Sequence, residues 1–211
     1  MIAEQNSILC LITLSACLLS PPTKADLVVF HAEFDDPPVA QSGGSNIAPV
    51  EATAVGFVDG QGGRALRLTD DERIVYALPA GLPAEAGSLE LFFRADFPQD
   101  AKSPARTILR ISGGDAQDLE FYYVPVGPSW RFRLQDSLFA QTGSRSIAQG
   151  EWVHLLLTWD STLEPRALTR LYINGSGGRA YGYTPPPTAL TTIALGGAGP
   201  LEISVDALAV Y

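Results

Sequence analysis

Sulfur and imidazole are scarce in this chain: two cysteines, one methionine and two histidines among 211 residues. Two cysteines exclude a disulfide-dense scaffold, and two histidines with no cysteine nearby leave zinc without its usual donors. Basic residues are also few, 14 against 23 acidic, for a formal charge of −9. That balance excludes nucleic acid as a partner, because phosphate contacts need clustered lysine and arginine. A transmembrane segment is not expected either. The apolar run Ile8–Leu19 has twelve residues, against about 20 for a helix that spans a bilayer. Long helices have little room, since 20 glycines and 16 prolines interrupt the chain.

What is present begins with a leader. Residues 5–23 carry no charge, and Ser20-Pro21-Pro22 ends any helix that Ile8–Leu19 would start. Thr23-Lys24-Ala25 places small residues where a signal peptidase cuts. Residues 1–25 are therefore expected to be a signal peptide, with 26–211 as one secreted domain, extracellular or periplasmic. The start departs from the usual pattern, with Glu4 and no base in Met1–Ser7. Leu14-Ser15-Ala16-Cys17 resembles a bacterial lipobox and sets the competing expectation, a lipoprotein anchored through Cys17. Both cysteines, Cys10 and Cys17, lie in the leader, so the domain must fold without disulfides.

The rest alternates in short windows. Leu27–Phe34, Val50–Val58, Arg64–Leu68, Arg73–Leu78, Ser88–Arg94, Thr107–Ile111 and Leu119–Val126 each have the two-residue period of a half-buried strand. In Trp130–Gln135 the aromatics and Leu134 share one face, while Arg131, Arg133 and Gln135 share the other. Trp152–Trp159 is apolar on both faces, the pattern of a central strand covered on each side. Leu171–Gly175 reads as a hairpin, because Asn174-Gly175 suits a type I′ turn. Pro37–Pro49 reads as a loop and Thr184–Pro187 as an extended connection. About thirteen short strands without alternating helices predict an antiparallel sandwich.

Several of these windows, in order, resemble the laminin-G-like domain of the concanavalin A-like lectin/glucanase superfamily. Val58–Leu68 (VDGQGGRALRL) is similar to its DG-x-x-G-x-AL-x-F opening, and Gly87–Phe93 (GSLELFF) to a strand in which Trp is commoner at the Phe92 position. Gly150–Asp160 (GEWVHLLLTWD) resembles G-x-WHHVALTWD, Leu171–Gly175 resembles LYVDG, and Val205–Tyr211 resembles the closing iDEvriY. The resemblance implies an all-β jelly-roll sandwich of two curved antiparallel sheets.

The candidate chemistry is sparse. Trp152, His154, Trp159 and Asp160 gather in one window, but alternation divides them between two faces and favours a core role, with His154 bonded to backbone. Glycoside hydrolysis needs two carboxylates facing each other across the bond. The laminarinase-type E-x-D-x-x-E pattern is missing; Asp118 with Glu120, and Glu202 with Asp206, come nearest. No catalytic residues are assigned, and the expected activity is binding. Sugar recognition needs an exposed ring and a few polar groups. Tyr122, out of phase with Phe121 and Tyr123, is the leading candidate, with Arg131 and Arg133 beside it. Tyr181 and Tyr183 are further candidates, as is Trp130 if its face were the outer one. The resemblance also implies a calcium expectation, with Asp35 and Asp206 meeting where first and last strands pair. The sequence thus predicts a secreted, non-catalytic module for a glycan or an extracellular protein. The alternatives are a glycosidase and an adhesion module without a small ligand.

Overall fold

The computed structural model describes residues 28–211 except 36, 54, 80, 84, 100–103, 114–117, 127–128, 135–136, 142–146, 163–167, 178–180, 183–189 and 198–200. For residues 137–139, 168 and 181–182 it describes backbone alone. The leader, with Cys17, and Thr184–Pro187 therefore lie outside the described residues.

These residues form eighteen strands and no helix. In chain order the first nine are β1 (Phe30–Glu33), β2 (Ala40–Ser42), β3 (Ser45–Ile47), β4 (Glu51–Ala52), β5 (Gly56–Asp59), β6 (Arg64–Thr69), β7 (Arg73–Ala77), β8 (Ala86–Ala95) and β9 (Arg106–Ser112). The others are β10 (Leu119–Val124), β11 (Ser129–Leu134), β12 (Ser137–Gln141), β13 (Trp152–Asp160), β14 (Leu168–Ile173), β15 (Ser176–Gly177), β16 (Tyr181–Gly182), β17 (Thr192–Gly196) and β18 (Glu202–Val210). An eleven-stranded sheet runs β15-β14-β13-β8-β18-β1-β2-β3, with β16 on β14 and the β5–β6 hairpin on β18. A seven-stranded sheet runs β12-β11-β10-β9-β17-β7-β4. The two antiparallel sheets make the jelly-roll sandwich that the sequence predicts.

The two-residue period builds the core directly. On β8, Leu89, Leu91, Phe93 and Ala95 are buried between the sheets, while Ser88, Glu90, Phe92 and Arg94 face outward and are half-buried. Phe93 from one sheet packs edge-on against Phe121 and Trp130 from the other, with centroids 5.6 and 4.9 Å apart. Trp159 closes one end, its indole N–H donating to the Pro83 carbonyl at 2.7 Å. Burial pushes the Tyr76 phenol well above its ordinary pKa, and its hydroxyl donates to the Pro38 carbonyl.

Three expectations are corrected. Pro37–Pro49 is not a plain loop: β2 and β3 pair within it around Gly43-Gly44, whose φ values of +55° and +78° glycine adopts without strain. Val50–Val58 is not one strand, since β4 joins the seven-stranded sheet and β5 the eleven-stranded one. Trp152–Trp159 is covered on one side only. Val153, Leu155, Leu157 and Trp159 are buried, whereas Trp152, His154, Leu156 and Thr158 are half-buried on the outer face. The β14–β15 turn is as expected, with Asn174 and Gly175 at φ +48° and +72°.

Candidate functional site

Two places gather chemistry, one on the outer face of each sheet. On the seven-stranded sheet, β10 and β11 pair so that Tyr122 stands opposite Arg131, and Glu120 opposite Arg133. Phe121, Tyr123, Trp130 and Phe132 fill the core beneath, which leaves Tyr122, Arg131 and Arg133 half-buried on the outside. Trp130 is 0% exposed and so takes no part in the outer face. The Arg133 guanidinium lies 4.9 Å over the Tyr122 ring and fixes its orientation.

Glu120 anchors this cluster. It is only 4% exposed, a costly place for a carboxylate unless it is paired. Arg110 on β9 meets one of its oxygens at 2.6 Å, and Arg133 on β11 meets the other. Arg131 donates to the Ser129 hydroxyl at 3.0 Å, and among the described residues no carboxylate pairs with it. Thr107 on β9 is the other cross-strand neighbour of Tyr122. From there a groove of about 240 Å³ continues, lined by Thr107, Arg110, Ser112, Thr192, Ala194 and Gly196. At its far wall Arg73 donates to Glu51 through Nε (2.7 Å) and Nη2 (2.6 Å). These hydrogen bonds hold the Glu51 carboxyl below its usual pKa and Arg73 above its own.

The second place is a cleft on the eleven-stranded sheet, lined by Asp35 and Asp206 among others. Asp206 sits at a bulge between Val205 and Ala207 in β18, so that Asp206 and Ala207 both lie on the outer side. Its Oδ2 accepts hydrogen bonds from the N–H groups of Gln61 (2.7 Å) and Gly62 (3.1 Å), and Asp35 Oδ1 accepts one from Arg64 (3.2 Å). The two acids thus latch the Gln61–Arg64 loop. Asp206→Ala is expected to lower the unfolding free energy by about 1–2 kcal/mol in urea denaturation, because two N–H groups lose their acceptor. No group of three or more His, Cys, Asp or Glu able to hold a metal occurs among the described residues.

Other sequence candidates fall elsewhere. Tyr181 is on β16 in the eleven-stranded sheet, away from the strands that carry Tyr122; its side chain and all of Tyr183 lie outside the described residues. His154 is not a core histidine bonded to backbone: its Nε2 lies 2.6 Å from Glu90 Oε1 on the outer face, and its ring stacks on Phe92. Alternation does not reveal Phe92, Ala207 and the Gln61–Arg64 loop as one cleft, because the bulge that joins them breaks the alternation.

Comparison with known proteins now decides the family. The family model Laminin_G_3, described as the concanavalin A-like lectin/glucanases superfamily, matches residues 68–206. The chain belongs to this superfamily. No curated protein matches it in sequence. Among solved structures, domain 4 of AbnA, a GH43 extracellular arabinanase from Geobacillus stearothermophilus, in complex with arabinotriose, is similar at 18% identity and a TM-score of 0.63. That match covers 87% of this chain and 91% of the other. The binding domain of Paraclostridial Mosquitocidal Protein 1 (19% identity, TM-score 0.63) and the botulinum neurotoxin type G receptor binding domain (12%, 0.62) are also similar. These matches cover 88% and 87% of this chain but 49% and 47% of the toxin domains. The superfamily member therefore spans about half their length. At these identities the likeness shows the fold.

Proposed function

We propose that this chain is a non-catalytic, extracellular glycan-binding module whose ligand stacks on Tyr122 and runs along the adjoining groove. The observation that carries this reading is Tyr122 itself. It is a half-buried ring on the outer sheet face, held from one side by Arg133 and bordered by Arg131 and Thr107. Sugar rings bind such surfaces through their C–H faces, and neighbouring donors fix the hydroxyls. The groove offers Thr107 and Ser112 hydroxyls over a small-residue floor, and the Thr192 hydroxyl, whose O–H donates to the Ser112 carbonyl at 3.2 Å, adds an acceptor. A fold neighbour of nearly the same size was solved with arabinotriose, which supports a saccharide as the ligand class.

The non-catalytic part rests on the acids. Glu120 is held by two arginines, Asp118 lies 3.7 Å from Arg110, Glu202 is 2.6 Å from Arg67, and Asp206 latches a loop. A carboxylate whose oxygens are already engaged by a guanidinium or a loop is not free to face a partner acid across a scissile bond. The leader reading supports secretion, with acylation at Cys17 as its competitor. The testing experiment is a glycan array probed with the chain in calcium and again in EDTA. Retention on a defined set of glycans is the expected result. No retention on any glycan in either buffer would remove the reading.

A further inference from the structure

We propose a second saccharide site on the opposite sheet, in the cleft between the free face of Phe92 and the Gln61–Arg64 loop, selective for a neutral sugar. It goes beyond the Tyr122 reading and stands on different residues.

Ring geometry opens the site. Phe92 and His154 are cross-strand partners on β8 and β13, and their rings stack 4.4 Å apart at 19°. Two rings stacked along the line between strands stand upright on the sheet. Phe92 therefore turns its other face away from β13, toward β18. Its partner there is Ala207, whose methyl group leaves the space beside the ring open. Next in the same row comes Glu33, opposite Ala207 on β1 and exposed. A cavity of about 360 Å³ results, lined by Phe92, Ala207, Glu33, Asp35, Gln61 and Arg64 among others. That volume lies within the range of roughly 300–1,000 Å³ typical of small-molecule sites.

Both walls are fixed before any ligand arrives. Glu90 holds His154 at 2.6 Å behind the Phe92 ring. Asp206 and Asp35 hold the loop through its own N–H groups. A cleft with pinned walls loses little freedom on binding, so a modest contact area is enough. The flat apolar wall suits the C–H face of a sugar ring. Glu33 and the outer oxygens of Asp35 are acceptors for sugar hydroxyls, and Gln61 supplies both a donor and an acceptor. Glu33, Asp35 and Asp206 outnumber the single cation Arg64 on the lining, so an anionic sugar would be repelled.

The test is a titration of the isotopically labelled chain, followed by backbone amide NMR. The probes are neutral pentose and hexose oligosaccharides, with uronic-acid oligosaccharides alongside. At least one neutral probe at millimolar concentration should shift the amides of Gln61, Gly62, Arg64 and Ala207, while uronic-acid probes leave them in place. Ala207→Leu should fill the cleft and abolish those shifts without moving any response at Tyr122 and Thr107. Glu33→Ala, at an exposed position, should weaken the same binding by about threefold to tenfold through a lost charged acceptor. Absence of a shift at these amides with every neutral probe would overturn the proposal, as would shifts that survive Ala207→Leu in a folded protein. Tyr122→Ala separates the two readings, because it should leave the cleft response intact whether or not the Tyr122 face binds glycan.

Discussion

Trp130→Ala lowers the unfolding free energy by about 3–5 kcal/mol, the cost of emptying a large aromatic site in a close-packed core. Trp130 is 0% exposed and touches aromatic rings from both sheets. Its centroid lies 4.9 Å from Phe93, 5.2 Å from Phe121, 5.1 Å from Tyr123 and 6.4 Å from Phe97. These neighbours sit on β8, on its C-terminal flank and on β10, in two different sheets, so they cannot collapse together into the void without moving backbone. The loss also reaches function. Trp130 precedes Arg131 and stands opposite Tyr123 on β10, so relaxation there shifts the strand pair that aims Tyr122 outward. Urea unfolding measures the effect. Trp152→Ala is the useful contrast: this ring is half-exposed, with the Arg94 guanidinium 5.2 Å above it, and its loss should cost only about 1 kcal/mol.

Gly196→Ala should cost about 2–4 kcal/mol, combining backbone strain with overpacking. Gly196 ends β17 at φ +77°, a conformation that side chains rarely adopt. A methyl group there would overlap the Glu72 carbonyl oxygen and crowd Leu68 Cδ1 at 3.1 Å. Backbone cannot swing aside as a side-chain tip can, so β17 must separate from β7, its partner through Gly196 and Arg73. Gly196 also lines the groove beside Tyr122, so glycan affinity should fall together with stability. Gly43→Ala isolates the strain alone. It has φ +55° but nothing within 4 Å, and its cost should stay near 1 kcal/mol. Thermal melts of the two variants side by side check the difference.

The legible parts of this molecule are those that a two-residue period controls. Trp130–Leu134 and Ser88–Arg94 show their buried and outer faces in the bare sequence, and Tyr122 between Phe121 and Tyr123 follows the same rule. Asn174-Gly175 announces its turn because few residues accept positive φ. Legibility ends where pairing across the chain decides. Alternation does not reveal that Glu120 is buried, because its burial depends on Arg110 and Arg133 arriving from two other strands. Nor does it reveal the bulge at Asp206, which adds one residue to the outer side and brings Ala207 beside Phe92. Trp152 and His154 misled for a related reason. An apolar outer face looks like a second core face until the rings are seen to pack on Arg94 and on Phe92.

The central claim is that glycan binds at Tyr122, and calorimetric titration of the best array glycan into wild-type chain and Tyr122→Ala tests it most directly. Tyr122 is half-buried on the outer face, so the variant should keep its melting temperature within a few degrees. Its affinity should fall by about tenfold or more, the loss of one stacking surface. An unchanged affinity in a variant that stays folded would contradict the account.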